Sequence, residues 1–444
     1  MNSHVKEART TLALAFPIVV GQVSQMLIGV TDSIMIGRVG TVPLAASAFA
    51  GGVFNVFFVI GIGLLLPVAV FAAREHGARN DAAAALWLKH GVLLATLAGL
   101  VGVGVMLGLS LGFNRIGQPP EVIATVNPFY TLIALSLLPT LVFQAFRQFS
   151  EALGRPWVPM AIMLGGVALN IGLNWVLIYG NLGAPALGLT GAGWATLISR
   201  TVPVLAIIVW LRREESFRNA WPRTWFSGFS GARFREMLRI GVPAAIMLMF
   251  EVGAFMAAAL MMGWIGATAL AAHQIALSCA SFMFMFPLGL SMAVGMRIGK
   301  AVGEGRQHAL RSIAFGAVAM TFAIMSMSAI GFTLGGTALA SWFVTDSETV
   351  ALAAKLLVVA AIFQLFDGAQ VIGAGSLRGL SDVRVPAVLS FIAYWLLAIP
   401  SGYVLGLHTR LGAVGVWTGL AFGLGIAAVL LAWRFARLTR TVRA

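Results

Sequence analysis

Long runs without a charged residue dominate the chain, each ended by a short polar or glycine-rich connection. A helix that crosses a bilayer needs about 20 apolar residues, and reading each run as one crossing gives Leu12–Ile36, Ala46–Ala72, Gly91–Leu111, Pro128–Phe146, Val158–Ile178 and Leu187–Leu211 in the first half. The second half gives Ile240–Trp264, Ala272–Met296, Ile313–Ala338, Leu352–Ala374, Ala387–Leu407 and Gly412–Trp433. Two charge-free stretches are long enough for two crossings each, and they divide at the turn-rich segments Gly180–Pro185 and Gly263–Gly266. The predicted fold is an all-α polytopic membrane protein of twelve transmembrane helices.

Composition agrees with the pattern. Of 444 residues, 59% are hydrophobic and 10% charged, and the mean hydropathy is +0.94, well outside the soluble globular range. The 51 glycines suit close helix packing in lipid, where van der Waals fit replaces the hydrophobic drive. The net charge of +14 would point to nucleic acid in a soluble protein; its placement along this chain points elsewhere. With a cytoplasmic N-terminus, 24 Lys and Arg fall in the even-numbered loops and termini, and only Arg38, Arg115 and Arg410 lie on the other side. That asymmetry sets both termini in the cytoplasm and leaves anionic lipid, not nucleic acid, as the partner of the basic face. The lone Cys279 excludes a disulfide framework and a Cys-based metal site, and reads as a packing residue. The basic N-terminus before Thr11–Thr31 resembles a signal peptide, yet no small-residue cleavage site leads into a soluble domain, so it is read as the first crossing.

The longest polar connection, between Arg212 and Arg239, separates an N-terminal lobe (1–211) from a C-terminal lobe with a short basic tail (240–444), leaving 212–239 as an inter-lobe linker. A shift that carries Pro17 onto Pro243 also carries Met35, Gly37 and Gly40 onto Met261, Gly263 and Gly266. It continues through Leu44-Ala45-Ala46 on Leu270-Ala271-Ala272, Gly63 on Gly289 and Gly77 on Gly303. The register loosens later, with Phe143-Gln144 over Phe363-Gln364 and Trp194 near Trp417. Two six-helix lobes related as parallel repeats are expected, an architecture of transporters more than of enzymes.

Of the fifteen acidic residues, twelve fall in or near loops or span ends, and Asp32, Glu251 and Asp367 remain inside crossings. A carboxylate at the bilayer centre costs about 2.5–3.5 kcal/mol on insertion scales, so it persists where it faces a cavity and meets a cation, a proton or an ion-pair partner. The only intramembrane cations on this reading are Arg200 and Lys355. Lys355 is too far along its helix to pair with Asp367, at 1.5 Å rise per residue; Arg200 is left to pair across helices.

Several segments resemble the multidrug and toxic compound extrusion (MATE) family, in its NorM-like bacterial branch, over essentially the whole chain. They are Ala15-Phe16-Pro17-Ile18, Thr31-Asp32-Ser33-Ile34-Met35-Ile36-Gly37, Ala271-Ala272-His273-Gln274-Ile275-Ala276 and Arg378-Gly379-Leu380-Ser381-Asp382-Val383-Arg384. The resemblance implies that Glu251, Asp367 and the first-span aspartate Asp32 couple transport to a cation, Na⁺ or H⁺, with Na⁺ held at the Glu251–Asp367 pair. It implies a polar network of Asn170, Asn174 and Thr196 around Asp32. It also places Gln25, Asp32, Phe255, Gln274 and Asp346 where similar transporters contact bulky cationic drugs; aromatic faces and carboxylates attract such cations. Phe255 equally suits packing, and Gln25 and Gln274 equally suit interhelical hydrogen bonding. One position departs from the family: Phe363 stands where some relatives carry tyrosine, which removes a hydroxyl from the coordination shell and lowers the sodium affinity expected.

Other signals carry little chemistry. Gly102-Val103-Gly104 with Gly108 lies within a crossing and reads as helix packing, and the six histidines have no metal-ligand spacing. His273 reads as structural. Pro17, Pro67, Pro139, Pro203, Pro243, Pro287 and Pro400 interrupt crossings and offer kinks; Trp194, Trp264, Trp342 and Trp417 read as interfacial anchors. The function expected is cation-driven export of amphipathic or cationic small molecules from a bacterial inner membrane by a monomer without a cofactor. A lipid-linked oligosaccharide flippase would favour a basic cavity, and a polyprenyl-phosphate transferase would need an acidic metal cluster or catalytic histidines at a membrane face; both fit these residues less well.

The charge asymmetry makes a direct prediction. Alkaline phosphatase fused after Arg410 should be active and the same enzyme fused at the C-terminus inactive; the reverse pattern would invert the orientation.

Overall fold

The computed structural model describes residues 3–113 and 120–440, with backbone alone for residues 3–6 and 120–125. Arg115 and Arg443, weighed above for orientation, lie outside the described residues, as do the side chains of Lys6 and Glu121. Among the described residues there is no strand, and twelve helices are long and apolar enough to cross a membrane. In chain order they are α1 (Ser3–Gly37), α2 (Thr41–Gly77), α3 (Asp81–Ser110), the broken pair α4 (Pro120–Leu135) and α5 (Leu137–Ala152), α6 (Trp157–Tyr179) and α7 (Gly188–Arg213). Then follow α8 (Gly231–Ile265), α9 (Ala267–Gly303), α10 (Ala309–Ser341), α11 (Ser347–Gly379), α12 (Arg384–Phe391) continued by a π-helix (Ile392–Ala398) and α13 (Ile399–Leu407), and α14 (Ala413–Leu438).

The breaks fall where the backbone chemistry demands them. Gly180 closes α6 in the left-handed conformation (φ 75°), where an added Cβ would press on the Ala186 amide. Gly266 (φ 149°) separates α8 from α9, and Gly40 (φ 156°) separates α1 from α2 in the same way. Pro139 has no N–H to offer the Leu135 carbonyl, which ends α4. Pro400 likewise has no N–H to offer the Leu396 carbonyl, and the turn before it, Ile392–Ala398, has π geometry, in which carbonyls pair one residue further on. Ser401 Oγ donates to the Leu397 and Ala398 carbonyls freed there.

The chain divides into two compact units, one of residues 20–245 and the other of residues 1–19 with 246–444. Neither boundary is at the linker; α1 and α8 are each shared by both units. The linker belongs wholly to the first unit. There the Lys89 ammonium donates to the Ser227 carbonyl and lies 4.5 Å from the Phe229 ring centroid. The Ser230 amide donates to His90 Nε2 at 2.9 Å, while Trp221 and Trp225 pack around Phe146.

The two units are built alike. α2 and α9 start at Thr41 and Ala267 and end at Gly77 and Gly303, the register seen in the sequence repeat. A Cβ on Gly63 would overlap the backbone of Ala245, and one on Gly289 would overlap the backbone of Val19. These are equivalent contacts in the two units, each seating half of a shared helix. Direct backbone approach of this kind is what small residues permit in membrane helices.

Some charges assigned to loops fold into helix ends. Arg147 and Glu151 are each 2% exposed and form an ion pair at 2.6 Å within α5. Lys89 and Arg378 are also buried. Trp194, Trp264 and Trp342 are exposed, but Trp417, expected as an interfacial anchor, is 0% exposed and donates from Nε1 to His273 Nδ1 at 3.1 Å. An indole with a buried acceptor and an apolar shell belongs in a core.

The glycine contacts predict a contrast in stability. Gly63→Ala and Gly289→Ala should each destabilise the protein by about 1–3 kcal/mol through forced backbone displacement. Gly104→Ala, where an added Cβ meets nothing within 4 Å, should be neutral. The apparent melting temperatures of the purified proteins check this.

Candidate functional site

Each unit holds its own acidic centre, with Asp32 and Glu251 half-buried and Asp367 buried, and the two differ in how the carboxylates are satisfied. In the first unit Asp32 lies on α1 and accepts from Asn174 Nδ2 at 2.6 Å and from Thr196 Oγ1 at 3.5 Å. Asn174 Nδ2 also donates to Asn170 Oδ1 at 3.2 Å, and Asn170 Nδ2 to Ser199 Oγ at 3.5 Å. Asn170 and Asn174 stand one turn apart on α6 and are both fully buried, so α6 presents its amides on one face. The three predicted network residues are therefore all brought to Asp32, together with Ser199, which no sequence motif singled out.

Arg200, one residue beyond Ser199 on α7, feels the Asp32 charge but makes no ion pair with it among the described residues. Its guanidinium donates to Ser136 Oγ at 2.7 Å and lies 4.1 Å from the Phe54 ring centroid, tying α7 to the break between α4 and α5. A crevice of about 30 Å³, lined by Ser24, Gln25, Thr140, Ser199 and Arg200 among others, has room for about one water. Gln25 is placed there.

In the second unit Glu251 (α8) and Asp367 (α11) lie close enough to interact electrostatically. Asp367 is 6% exposed, and its Oδ1 has no hydrogen-bond partner. Among the described residues no cationic side chain pairs with either carboxylate; Lys355 is exposed on α11. Two negative charges in an apolar surrounding repel, and a shared cation or proton removes the repulsion. Hard oxygen donors of this kind fit a hard cation.

Around the pair, Phe255 packs edge-on to Phe363 at 6.0 Å, and Phe363 to Trp417 at 5.4 Å. Tyr394, in the π-helix, lies within electrostatic reach of both carboxylates. Its buried hydroxyl has no partner. Sequence reasoning missed it because an isolated tyrosine in an apolar run carries no signal of its own; Pro400, which forces the π turn, was the only available hint.

The other drug-contact candidates are not drawn to this centre. Gln274 is exposed on α9 beside the buried His273. Asp346 is exposed and caps α11, accepting from the Thr349 amide at 2.9 Å and from Thr349 Oγ1 at 2.6 Å. These two donors hold its carboxyl below the usual range. Neither residue makes a hydrogen bond or ion pair with Glu251 or Asp367 among the described residues.

Comparison with known proteins agrees with this architecture. The MatE family model matches the chain twice, over residues 17–176 and 243–404, so the second match starts where the internal repeat places it. A probable multidrug resistance protein NorM of Rhodopseudomonas palustris is 38% identical, with 98% of this chain and 92% of the relative covered. The protein of the same name from Mesorhizobium japonicum is 36% identical, with 98% and 95% covered. Among solved structures, an outward-facing multidrug resistance MATE family transporter superposes with a TM-score of 0.90 at 21% identity, covering 100% of this chain and 99% of its own. A Pyrococcus furiosus transporter of the MOP superfamily, whose binding pocket of reversed polarity is described as suggesting a different function, superposes at a TM-score of 0.89 with 20% identity over 100% and 99% of the two chains. These likenesses establish the fold, while the full-length relatives and the doubled family match establish the lineage: the chain belongs to the MatE family of membrane transporters and is not an enzyme.

Proposed function

We propose that the protein is a multidrug exporter of the bacterial inner membrane, with both termini cytoplasmic, that expels amphipathic and cationic small molecules in exchange for inward-moving Na⁺ or H⁺. The observation that carries this reading is the Glu251–Asp367 pair, a half-buried and a buried carboxylate that interact with each other and have no counter-ion among the described residues. Such a pair is costly unless a mobile cation completes it. The NorM names of the full-length relatives support the substrate class.

The two acidic centres divide the work. Asp32 already has the Asn174 amide at 2.6 Å and Arg200 within electrostatic reach, so its charge is compensated by residues of the protein. We assign coupling to Glu251 and Asp367, and drug contact to Asp32, Gln25 and Phe255. A ligand moves a conformational equilibrium only through its different affinity for the two states, so the acidic sites must differ between the inward- and outward-facing forms.

Ethidium efflux from preloaded, exporter-deficient cells tests the reading, with a Na⁺ pulse and an acid pulse applied separately and an empty-vector control. One of the pulses should trigger efflux; failure of both in cells that express the protein at the membrane would overturn the antiport mechanism. Glu251→Gln and Asp367→Asn should each reduce efflux to the vector level while the protein remains inserted, and normal export by both variants would remove the pair from the mechanism. Asp32→Asn should weaken the apparent affinity for drug and leave the dependence on the driving ion unchanged. A shifted ion dependence in that variant would place coupling in the first unit as well.

A further inference from the structure

The exposed side of α14 is not smooth. Between α11 and α14 runs an apolar groove of about 500 Å³, lined by Phe366 of α11 and by Thr418, Phe422, Gly425 and Val429 of α14 among others. Phe422 and Val429 are exposed and stand seven residues apart on one helix face, while the buried Ala421 and the half-buried Gly425 form the floor. A Cβ on Gly425 would meet only the Phe366 ring, at 3.7 Å, so the missing side chain leaves the groove open along its length. The same face continues to Trp433 and then to Arg437, each four residues further on. From Phe422 to Arg437 is about 22 Å at 1.5 Å per residue, half of a bilayer about 40–45 Å thick including its headgroups.

The end of that face is basic. Asp382 is already engaged by Arg434 at 2.9 Å. Arg311 of α10 donates to the Ala436 carbonyl and to Thr439 Oγ1, each at 3.0 Å, which closes the C-terminus of α14 and adds a guanidinium there. Arg437 lies 5.5 Å from the Trp433 ring centroid; it and Arg440 are exposed and form no ion pair among the described residues. An exposed indole favours the membrane interface, so these cations stand at headgroup level beside the open end of the groove. The other repeat supplies a comparison. The shift that sets Trp194 on Trp417 also sets Trp210 on Trp433, and α7 has a groove of about 530 Å³ that ends at Trp210 and Arg213. There Arg212 and Arg213 are followed by Glu214 and Glu215, whereas Arg434, Arg437 and Arg440 follow Trp433 with no acid among them. Both repeats keep the groove and its indole, and the second adds basic charge that no neighbouring acid in the sequence offsets.

We propose that the α11–α14 groove binds one anionic phospholipid, with an acyl chain lying over Gly425 between Phe366 and Phe422 and the phosphate meeting Arg437 and Arg440 beyond Trp433. The phosphate brings the negative charge that the exposed guanidiniums lack, and two arginines in adjacent turns discriminate it from a zwitterionic headgroup, whose ammonium they repel. The chain brings dispersion contacts that an isolated phosphate ion cannot make, so occupancy needs both ends of the site. It uses no residue of either acidic centre and stands whether or not the coupling reading holds.

The test is equilibrium binding of radiolabelled phosphatidylglycerol to the purified full-length protein in a non-ionic detergent, with phosphatidylcholine and inorganic phosphate as competitors. Phosphatidylglycerol should bind saturably, and inorganic phosphate should not displace it. Phosphatidylcholine should compete about thirtyfold more weakly, the equivalent of about 2 kcal/mol from two arginines. Arg437→Gln/Arg440→Gln should remove that preference. Gly425→Leu, which fills the groove, should weaken both lipids about tenfold and keep the preference, and Arg212→Gln/Arg213→Gln at the end of the α7 groove should change neither. The exposed arginine pair carries the test even if Gly425→Leu folds poorly. Equal binding of the two lipids by wild type, or a preference that survives the loss of Arg437 and Arg440, would overturn the site. Displacement by inorganic phosphate would overturn a lipid as its occupant, and undiminished binding by Gly425→Leu would overturn the place of the acyl chain.

Discussion

A carboxylate without a counter-ion in an apolar interior is the constraint around which this protein is arranged. In water a charged oxygen is solvated from all sides; inside a helix bundle every missing hydrogen bond has to be replaced by a dipole, a partner charge or a bound ion. The first unit takes the dipole route for Asp32, with two asparagines on one face of α6 and a threonine on α7 turned toward it. The second unit has Glu251 and Asp367 within electrostatic reach of each other, with Asp367 Oδ1 unmatched. The same repeat therefore carries one centre satisfied by its own residues and one with an unmatched carboxylate oxygen.

That asymmetry is set against a backbone that repeats closely. Equivalent glycines, Gly63 and Gly289, let equivalent helix segments approach at backbone distance, and equivalent glycines, Gly40 and Gly266, turn the chain between the first two helices of each repeat. Tight packing of this kind leaves little freedom to vary the framework. Divergence between the units falls on side chains inside them, and on the two broken crossings. α4 and α5 part at Ser136, whose hydroxyl receives Arg200. The eleventh crossing widens at the π turn, which carries Tyr394. The first break thus carries the acceptor for Arg200, and the second a tyrosine whose hydroxyl has no partner.

Much of this was legible in the residues before any coordinates. Hydrophobic periodicity and the Gly266 break located the crossings, because lipid leaves helices no other way to satisfy their backbone. Asp32, Glu251 and Asp367 stood out because charge is rare in such runs. Uncharged groups were much harder to see. Ser199 and Tyr394 look like ordinary members of apolar segments, and only the fold shows that one joins an amide network while the other ends in an unmatched hydroxyl. Trp417 was misplaced for a related reason: indoles favour interfaces on average, and nothing along the chain revealed that His273, far away in sequence, would accept its N–H. Arg147 and Glu151 were set at the membrane surface by charge alone, although spacing of four residues on one helix allows them to neutralise each other inside it.

Fold alone does not decide what such a protein carries, since a transporter described as having a pocket of reversed polarity shares this architecture. The sign of the buried charge has to decide it. In the second unit that sign is unambiguous: two acids interact with each other and no basic residue pairs with them among the described residues. In the first unit Arg200 might be read as reversing the sign, but its guanidinium is already engaged by Ser136 and the face of Phe54, so it serves the join between helices as much as the crevice. The first unit satisfies its carboxylate with its own amides and hydroxyl, whereas the second has no basic residue paired with either acid among the described residues. The repeat thus offers two acidic sites of unequal completeness. That difference in completeness is the ground for assigning ion coupling to the second centre.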